Sequence, residues 1–238
     1  MYAPLAAHLK QHNVAALFVE ARGPYFGITG VKPFGFDADA RGYMGPWPVV
    51  AHPPCARWGS YSNAQGRQTG DDNSCFVCAL DAVWRWGGVL EHPAKSKAWV
   101  KYGLQKPSPR GWTAAGGAWV CEVEQGHYGH AARKPTWLYA KVKHPLELLW
   151  GPSRQRLPHK RLLERGYAAS RRGGAVANQS HYQRQLTPFA FRDMLLAMAS
   201  GFSEDVTVTA PKQRRGEAEP RRVEAASRRS AGVGAPPL

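Results

Sequence analysis

Acidic residues are scarce in this chain. Against 32 Lys+Arg there are 17 Asp+Glu, which leaves a formal net charge of +15. That imbalance points to an anionic partner, and nucleic acid is the commonest one. Long apolar runs are missing as well. No stretch reaches the roughly 20 uncharged apolar residues of a membrane-spanning helix, so no membrane association is expected. The first residues, MYAPLAAHLKQHN, hold no basic segment leading into an apolar run, so no secretory signal is expected. Cysteine is rare too. Four in 238 residues do not make a secreted disulfide framework, and a reducing cytoplasm is the expected compartment.

What is present argues for a folded core. Hydrophobic residues make up 43% of the chain, and nine of them are Trp, so wholesale disorder is not expected. The length suits one domain followed by a tail. The charge is unevenly placed. Ser153 to Arg184 carries eight Lys/Arg and one acid, Glu164. Pro211 to Leu238 carries seven Lys/Arg and three acids among Pro, Gly, Ala and Ser. That last stretch has too little apolar surface to offset its chain entropy. Residues 1–208 therefore read as one α/β domain and residues 209–238 as a disordered basic tail.

Within the domain, short apolar runs alternate with amphipathic segments. Val14–Val19 and Pro48–His52 read as buried strands, and Val89–Glu91 as a short one closed by Pro93. Phe76, Leu80, Val83 and Trp84 fall at helical spacing, which predicts a helix over 74–86 with Ser74 as N-cap and Gly87-Gly88 as its stop. Residues 96–102 predict one or two helical turns. Trp119–Val123 and Thr136–Val142 predict two more strands. Thr187-Pro188 predicts the start of a last helix over 189–199, with Thr as cap and Pro at the first position. This order predicts a Rossmann-like, mostly parallel sheet with helices on its faces. In such sheets functional residues collect beyond the carboxyl ends of strands.

Two such ends carry chemistry. Cys55 follows a strand and two prolines, which stiffen its platform. A thiol there, near Arg57, reads either as a nucleophile with lowered pKa or as a buried structural cysteine. Glu91 ends a Val-Leu strand beside His92 and Pro93. It reads either as an acid whose pKa rises by desolvation or as a capping or salt-bridge carboxylate.

Taken in order, Pro54-Cys55, then Glu91 and Pro93, then Tyr128-Gly129-His130-Ala131-Ala132-Arg133-Lys134, then Arg184-Gln185-Leu186-Thr187-Pro188 resemble the cytosine-C5 DNA methyltransferases. The chain is also similar to short phage and prophage proteins with His-Pro-Pro-Cys and Gly-Gly-Val-Leu-Glu-(His or Asn)-Pro. The resemblance implies a DNA base-modifying transferase acting on double-stranded DNA, in a bacterial host cytoplasm if the gene is phage-borne. Cys55 would attack C6 of a pyrimidine and Glu91 would serve as the acid at N3. Pro54, Arg57, His92, Arg133 and Lys134 would line the pocket or hold DNA. Arg171 and Arg172 lie in residues 153–186, where the family inserts its DNA-recognition region, here much reduced. The resemblance also implies S-adenosylmethionine as methyl donor, held after the first strand by Glu20, Gly23 and Asp37 or Asp39. In this segment Gly23, Gly27 and Gly30 depart from the family spacing and Pro24 interrupts them. That departure supports an alternative, a non-catalytic protein that binds and masks DNA on the same fold.

Other constellations have plainer readings. Cys75 and Cys78 lie three positions apart on a predicted helix, so they read as core packing or, with Cys55, Cys121, His127 or His130, as half of a zinc site. His127 and His130 read as turn histidines or as contacts to a phosphate or base. Trp58, beside Cys55, reads as core or as a stacking platform for a base.

Overall fold

The computed structural model describes residues 13–59, 62, 68–155 and 186–201. Arg171, Arg172, most of the basic stretch 153–186 and the tail 209–238 lie outside them. The elements run β1 (Val14–Leu17), β2 (Val31–Phe34), β3 (Val49–Ala51), α1 (Cys75–Trp86), β4 (Gly88–Pro93), α2 (Lys97–Lys101), β5 (Thr113–Ala115), β6 (Ala118–Glu124), β7 (Pro135–Lys141) and α3 (Phe189–Ala199).

The seven strands form one sheet in the order β2-β1-β3-β4-β7-β6-β5. The strands β2, β1, β3 and β4 are mutually parallel, whereas β7, β6 and β5 join by antiparallel pairing. The architecture is thus mixed α/β, and the predicted mostly parallel pairing holds only for the first half. Even so, β6 runs in the same direction as β1–β4, because two antiparallel steps restore the sense. The carboxyl ends of β1, β3, β4 and β6 and the start of β7 therefore lie along one edge.

Strand alternation builds a core on each face. Val14, Ala16, Val50, Val89, Cys121, Val123, Leu138 and Ala140 pack with Phe191, Leu195 and Leu196 of α3. Ala15, Leu17, Val49, Ala51, Leu90, Val120, Trp137 and Tyr139 pack with Phe76 and Val83 of α1 and Trp99 of α2. Each fully buried Leu or Phe on α3 contributes about 1.5–3 kcal/mol. Cys121 lies in the first core, and Cys75 and Cys78 sit half-buried on α1 in the other layer. Among the described residues no three His, Cys, Asp or Glu side chains cluster as a metal site would need. No described helix is long and apolar enough to cross a membrane.

Several local predictions change. Ser74 takes a left-handed conformation (φ 61°) and caps nothing. The cap is Asp72, whose Oδ2 accepts from the Phe76 backbone N–H at 2.9 Å and from the Trp58 indole at 2.8 Å. Thr187 does not cap α3 either, because Pro188 is itself the residue before the first turn and no side chain bonds there. Two strands, β2 and β5, have no counterpart in the pattern reading. Both are edge strands, short and only partly buried.

Gly88 is fixed by the sheet. It pairs with Val49, and a Cβ there would stand 2.0 Å from the Val49 carbonyl oxygen at φ 108°. Gly88→Ala is expected to destabilise the fold by more than about 3 kcal/mol in urea unfolding. Gly103→Ala, also at positive φ (63°) but with nothing within 4 Å, is expected to lose only the conformational term of about 1–2 kcal/mol. Equal losses would contradict this account.

Candidate active site

The period of two along each strand decides which side chains meet. On β4, Glu91 shares the face of Val89, toward α3, while His92 shares the face of Leu90, toward α1. By the same alternation His52 just past β3, Gln125 just past β6 and Thr136 on β7 point to the α3 side. They do meet. The His52 Nδ1 lies 2.9 Å from Glu91 Oε2. The Gln125 Nε2 donates to Glu91 Oε1 at 3.2 Å and to Thr136 Oγ1 at 3.0 Å. The chain extends on the other side, where the Tyr25 hydroxyl lies 2.7 Å from His52 Nε2. Tyr25 comes from the loop after β1 and is buried.

Glu91 is partly desolvated, which raises its pKa, but the His52 hydrogen bond and the charges of His52 and Lys134 outweigh burial and hold it below the usual carboxylate range. The expected upward shift is therefore reversed, and Glu91 rests as a carboxylate. With Glu91 ionised, His52 Nδ1 carries the proton and donates to it. On the Nε2 side stands Tyr25, whose own pKa burial and Glu91 push well above the usual value.

Cys55 stands two residues past the buried Pro53 and is exposed as a residue. Its sulfur nevertheless has protein on most sides. Desolvation and then the Glu91 charge push the thiol up, with Lys134 pulling the other way. The expected lowered pKa is not found, and the thiol rests protonated. Lys134, immediately before β7, is electrostatically coupled to both Glu91 and Cys55; burial lowers its pKa against their pull. Its Nζ donates to the Leu186 carbonyl at 3.0 Å, which ties the segment leading into α3 to the site. Cys55, Glu91 and Lys134 are thus gathered from three strand ends.

Other predicted residues go elsewhere. His92 is buried beneath Phe76 (ring centroids 5.1 Å) and Trp99 (6.4 Å), on the opposite face from Glu91. Arg133 is held by both oxygens of Glu124 (Nε at 2.7 and 2.9 Å), and Glu124 also accepts from the Ser153 N–H at 2.7 Å, so the pair braces the β6–β7 turn. Desolvation raises Glu124, but Arg133 and Ser153 more than offset it. Arg57 is half-buried and its carbonyl accepts from Gly70. Pro54 is exposed beside Cys55. Trp58 is 1% exposed and offers no face to a base. His127 reaches the Gly151 carbonyl at 3.0 Å, and the Ala132 N–H donates to His130 Nδ1 at 3.0 Å.

The residues expected to hold S-adenosylmethionine do not build a cradle. Glu20 and Asp37 are exposed, and among the described residues neither side chain bonds to anything. Asp39 chelates the Arg41 guanidinium at 2.7 Å. Gly23 is small for its own turn, since a Cβ would stand 2.8 Å from the Glu20 carbonyl oxygen. Tyr25 fills the space beneath this loop and packs on the His52 ring at 5.3 Å. No step through that donor follows from these residues.

Sequence reading missed Tyr25, His52, Gln125 and Thr136. For His52 and Gln125 a signal existed, because strand parity counted from Val50, Val89 and Val123 puts both on the face of Glu91. Tyr25 has no such signal. A scan against protein-family models and a search of curated proteins both return no match.

Burial drives the His92 pKa down to about 4, against the pull of Glu91 and the Pro54 carbonyl. In the unfolded chain the ring titrates near 6.5. Between those values only the unfolded state takes the proton, so stability falls as pH drops from 6.5 toward 4. The loss should total about 3 kcal/mol. Urea titrations of the wild type and of His92→Gln across this window are expected to show a steep slope in the first and a shallower one in the second.

Proposed function

We propose that this chain modifies a pyrimidine base of DNA by the route of the cytosine-C5 methyltransferases, with Cys55 as nucleophile and Glu91 as the group that moves the proton to N3. The observation that carries the reading is the convergence of thiol, carboxylate and ammonium at three neighbouring strand ends. A Rossmann-like sheet fits the same reading, since β2 and β3 flank β1 on opposite sides and Tyr25, His52 and Glu91 stand at the carboxyl ends of these strands, where such sheets hold ligands.

The resting protonation states balance the first step. The proton on Cys55 passes to Glu91 as sulfur bonds to C6, and Glu91 hands it to N3. The C5–C6 π pair shifts to C4–C5 while the C4–N3 π pair moves onto N3 and takes the proton, so C5 becomes an enamine carbon. On reversal the S–C6 bond breaks and the proton returns to sulfur. His52 and Gln125 pin both carboxylate oxygens, so Glu91 acts from one fixed position. Lys134 stabilises the thiolate as it forms. The base must leave the stack to reach these groups.

The enamine exchanges its C5 hydrogen with water even without an electrophile, so a duplex carrying 5-deuteriocytosine reads this step alone. Washout of the label is expected with the wild type. Cys55→Ser is expected to abolish it, and Glu91→Gln to slow it by about 10²–10⁴-fold, the usual weight of a positioned acid–base group. Retention of the label by the wild type would overturn the catalytic reading.

One observation favours the second reading, a DNA-binding protein on the same fold: Tyr25 fills the space beneath the loop where a methyl donor is expected. Calorimetry with S-adenosylmethionine separates the two. The free protein is expected to show no saturable heat, and a stoichiometric isotherm would restore methyl transfer.

A further inference from the structure

At the opposite end of the sheet a second feature has no part in this chemistry. A groove of about 460 Å³ is lined by Trp84, Arg85, Trp86, Gly87, Gly117, Lys141, Val142 and Lys143. We infer that this groove is a contact site for single-stranded polynucleotide, with one base stacked on Trp84 and the adjoining phosphates on Lys141 and Lys143.

Trp84 is 46% exposed on the outer surface of α1. An exposed indole needs an account, and here one face is already organised. The Lys141 Nζ sits 3.7 Å from the ring centroid and donates to the Gly117 carbonyl at 3.0 Å. Those two contacts fix the ammonium at the mouth of the groove and leave a donor for a phosphate oxygen. Two glycines keep the floor open. Both have positive φ (77° at Gly87, 85° at Gly117), which favours glycine, and a Cβ on Gly87 would stand 3.2 Å from the Lys141 carbonyl oxygen. The lining holds three cations and no acid. The nearest carboxylate identified is Asp81, which is bound to Arg85 Nε at 2.8 Å. Cations interleaved with aromatic faces are how proteins hold single strands without reading sequence.

The placement makes this a separate contact. Gly88 opens β4 opposite Lys141 and Pro93 closes it opposite Thr136. Groove and thiol are thus set apart by the length of that strand, roughly 3.3 Å per residue. A nucleic acid engaged at Cys55 meets the groove only by running along the sheet.

The test uses the full chain and fluorescein-labelled oligothymidylate of twelve residues, with anisotropy read at stepped salt. Trp84→Ala is expected to weaken binding about tenfold. The double variant Lys141→Gln, Lys143→Gln is expected to lower the log-log salt slope by about 1.4, at about 0.7 for each phosphate contact. Wild-type affinity and slope in both variants would overturn the proposal. Should a variant fail to fold, photocrosslinking of the wild type to a 5-iodouracil oligonucleotide decides. Crosslinks in residues 84–87 or 141–143 support the groove, and crosslinks confined to other peptides overturn it. Cys55→Ser should bind the probe like the wild type, so failure of the pyrimidine chemistry leaves this result readable.

Discussion

The hydrogen bond between His52 and Glu91 is the constraint on which the candidate site depends. It joins the ends of β3 and β4 at 2.9 Å and holds a half-buried carboxylate ionised against the desolvation that opposes it. Remove it and Glu91 has the Gln125 hydrogen bond and the charges of Lys134 and His92 to offset burial. The bond exists because β3 and β4 pair in parallel with Val50 opposite Val89. A slip of one residue would turn Glu91 toward α1 and bring His92 to the site instead. Register, electrostatics and chemistry are therefore one specification here. The Phe76–Trp99 layer that buries His92 helps to enforce it from the other face.

Much of this could be read in the sequence. The strands at Val14, Val49, Val89 and Trp119, the helix over Phe76–Trp84 and the last helix all carry strong apolar periods, and all are present. Cys55, Glu91 and Lys134 are electrostatically coupled because strand ends of one sense share an edge. What escaped was fixed by contact rather than pattern. The strand Val31–Phe34 contains Pro33 and lies at the sheet edge, where a proline is tolerated and the apolar signal is weak. Ser74 looked like a cap, but Asp72 is better placed because it also serves Trp58. Both pKa directions at the site differ from expectation, for two reasons: burial and the Glu91 charge raise Cys55, whereas His52, Lys134 and His92 lower Glu91 against its own burial.

Among the described residues, part of the positive charge is already committed. Arg133 belongs to Glu124, Arg192 to Asp193, Arg41 to Asp39 and Arg85 to Asp81. Few acids are present, and several of them serve to place an arginine. The lysines instead find carbonyl oxygens, Lys134 at Leu186 and Lys141 at Gly117. A carbonyl fixes an ammonium without neutralising it. Lys134 and Lys141 thus keep their field for a ligand where these four arginines have spent theirs, and this separates bracing cations from binding ones better than proximity to Cys55 does.

Tyr25 carries one more consequence. Its hydroxyl is the inner terminus of the chain through His52 to Glu91. The preceding residue, Pro24, receives Arg192 of α3 through its carbonyl at 2.7 Å. The loop after β1 is therefore a lever with its fulcrum on α3 and its tip on the imidazole. An occupant that lifts Tyr25 breaks the hydrogen bond at His52 Nε2 and releases one end of the chain that holds Glu91. Occupancy of the loop and the placement of Glu91 would then be a single event.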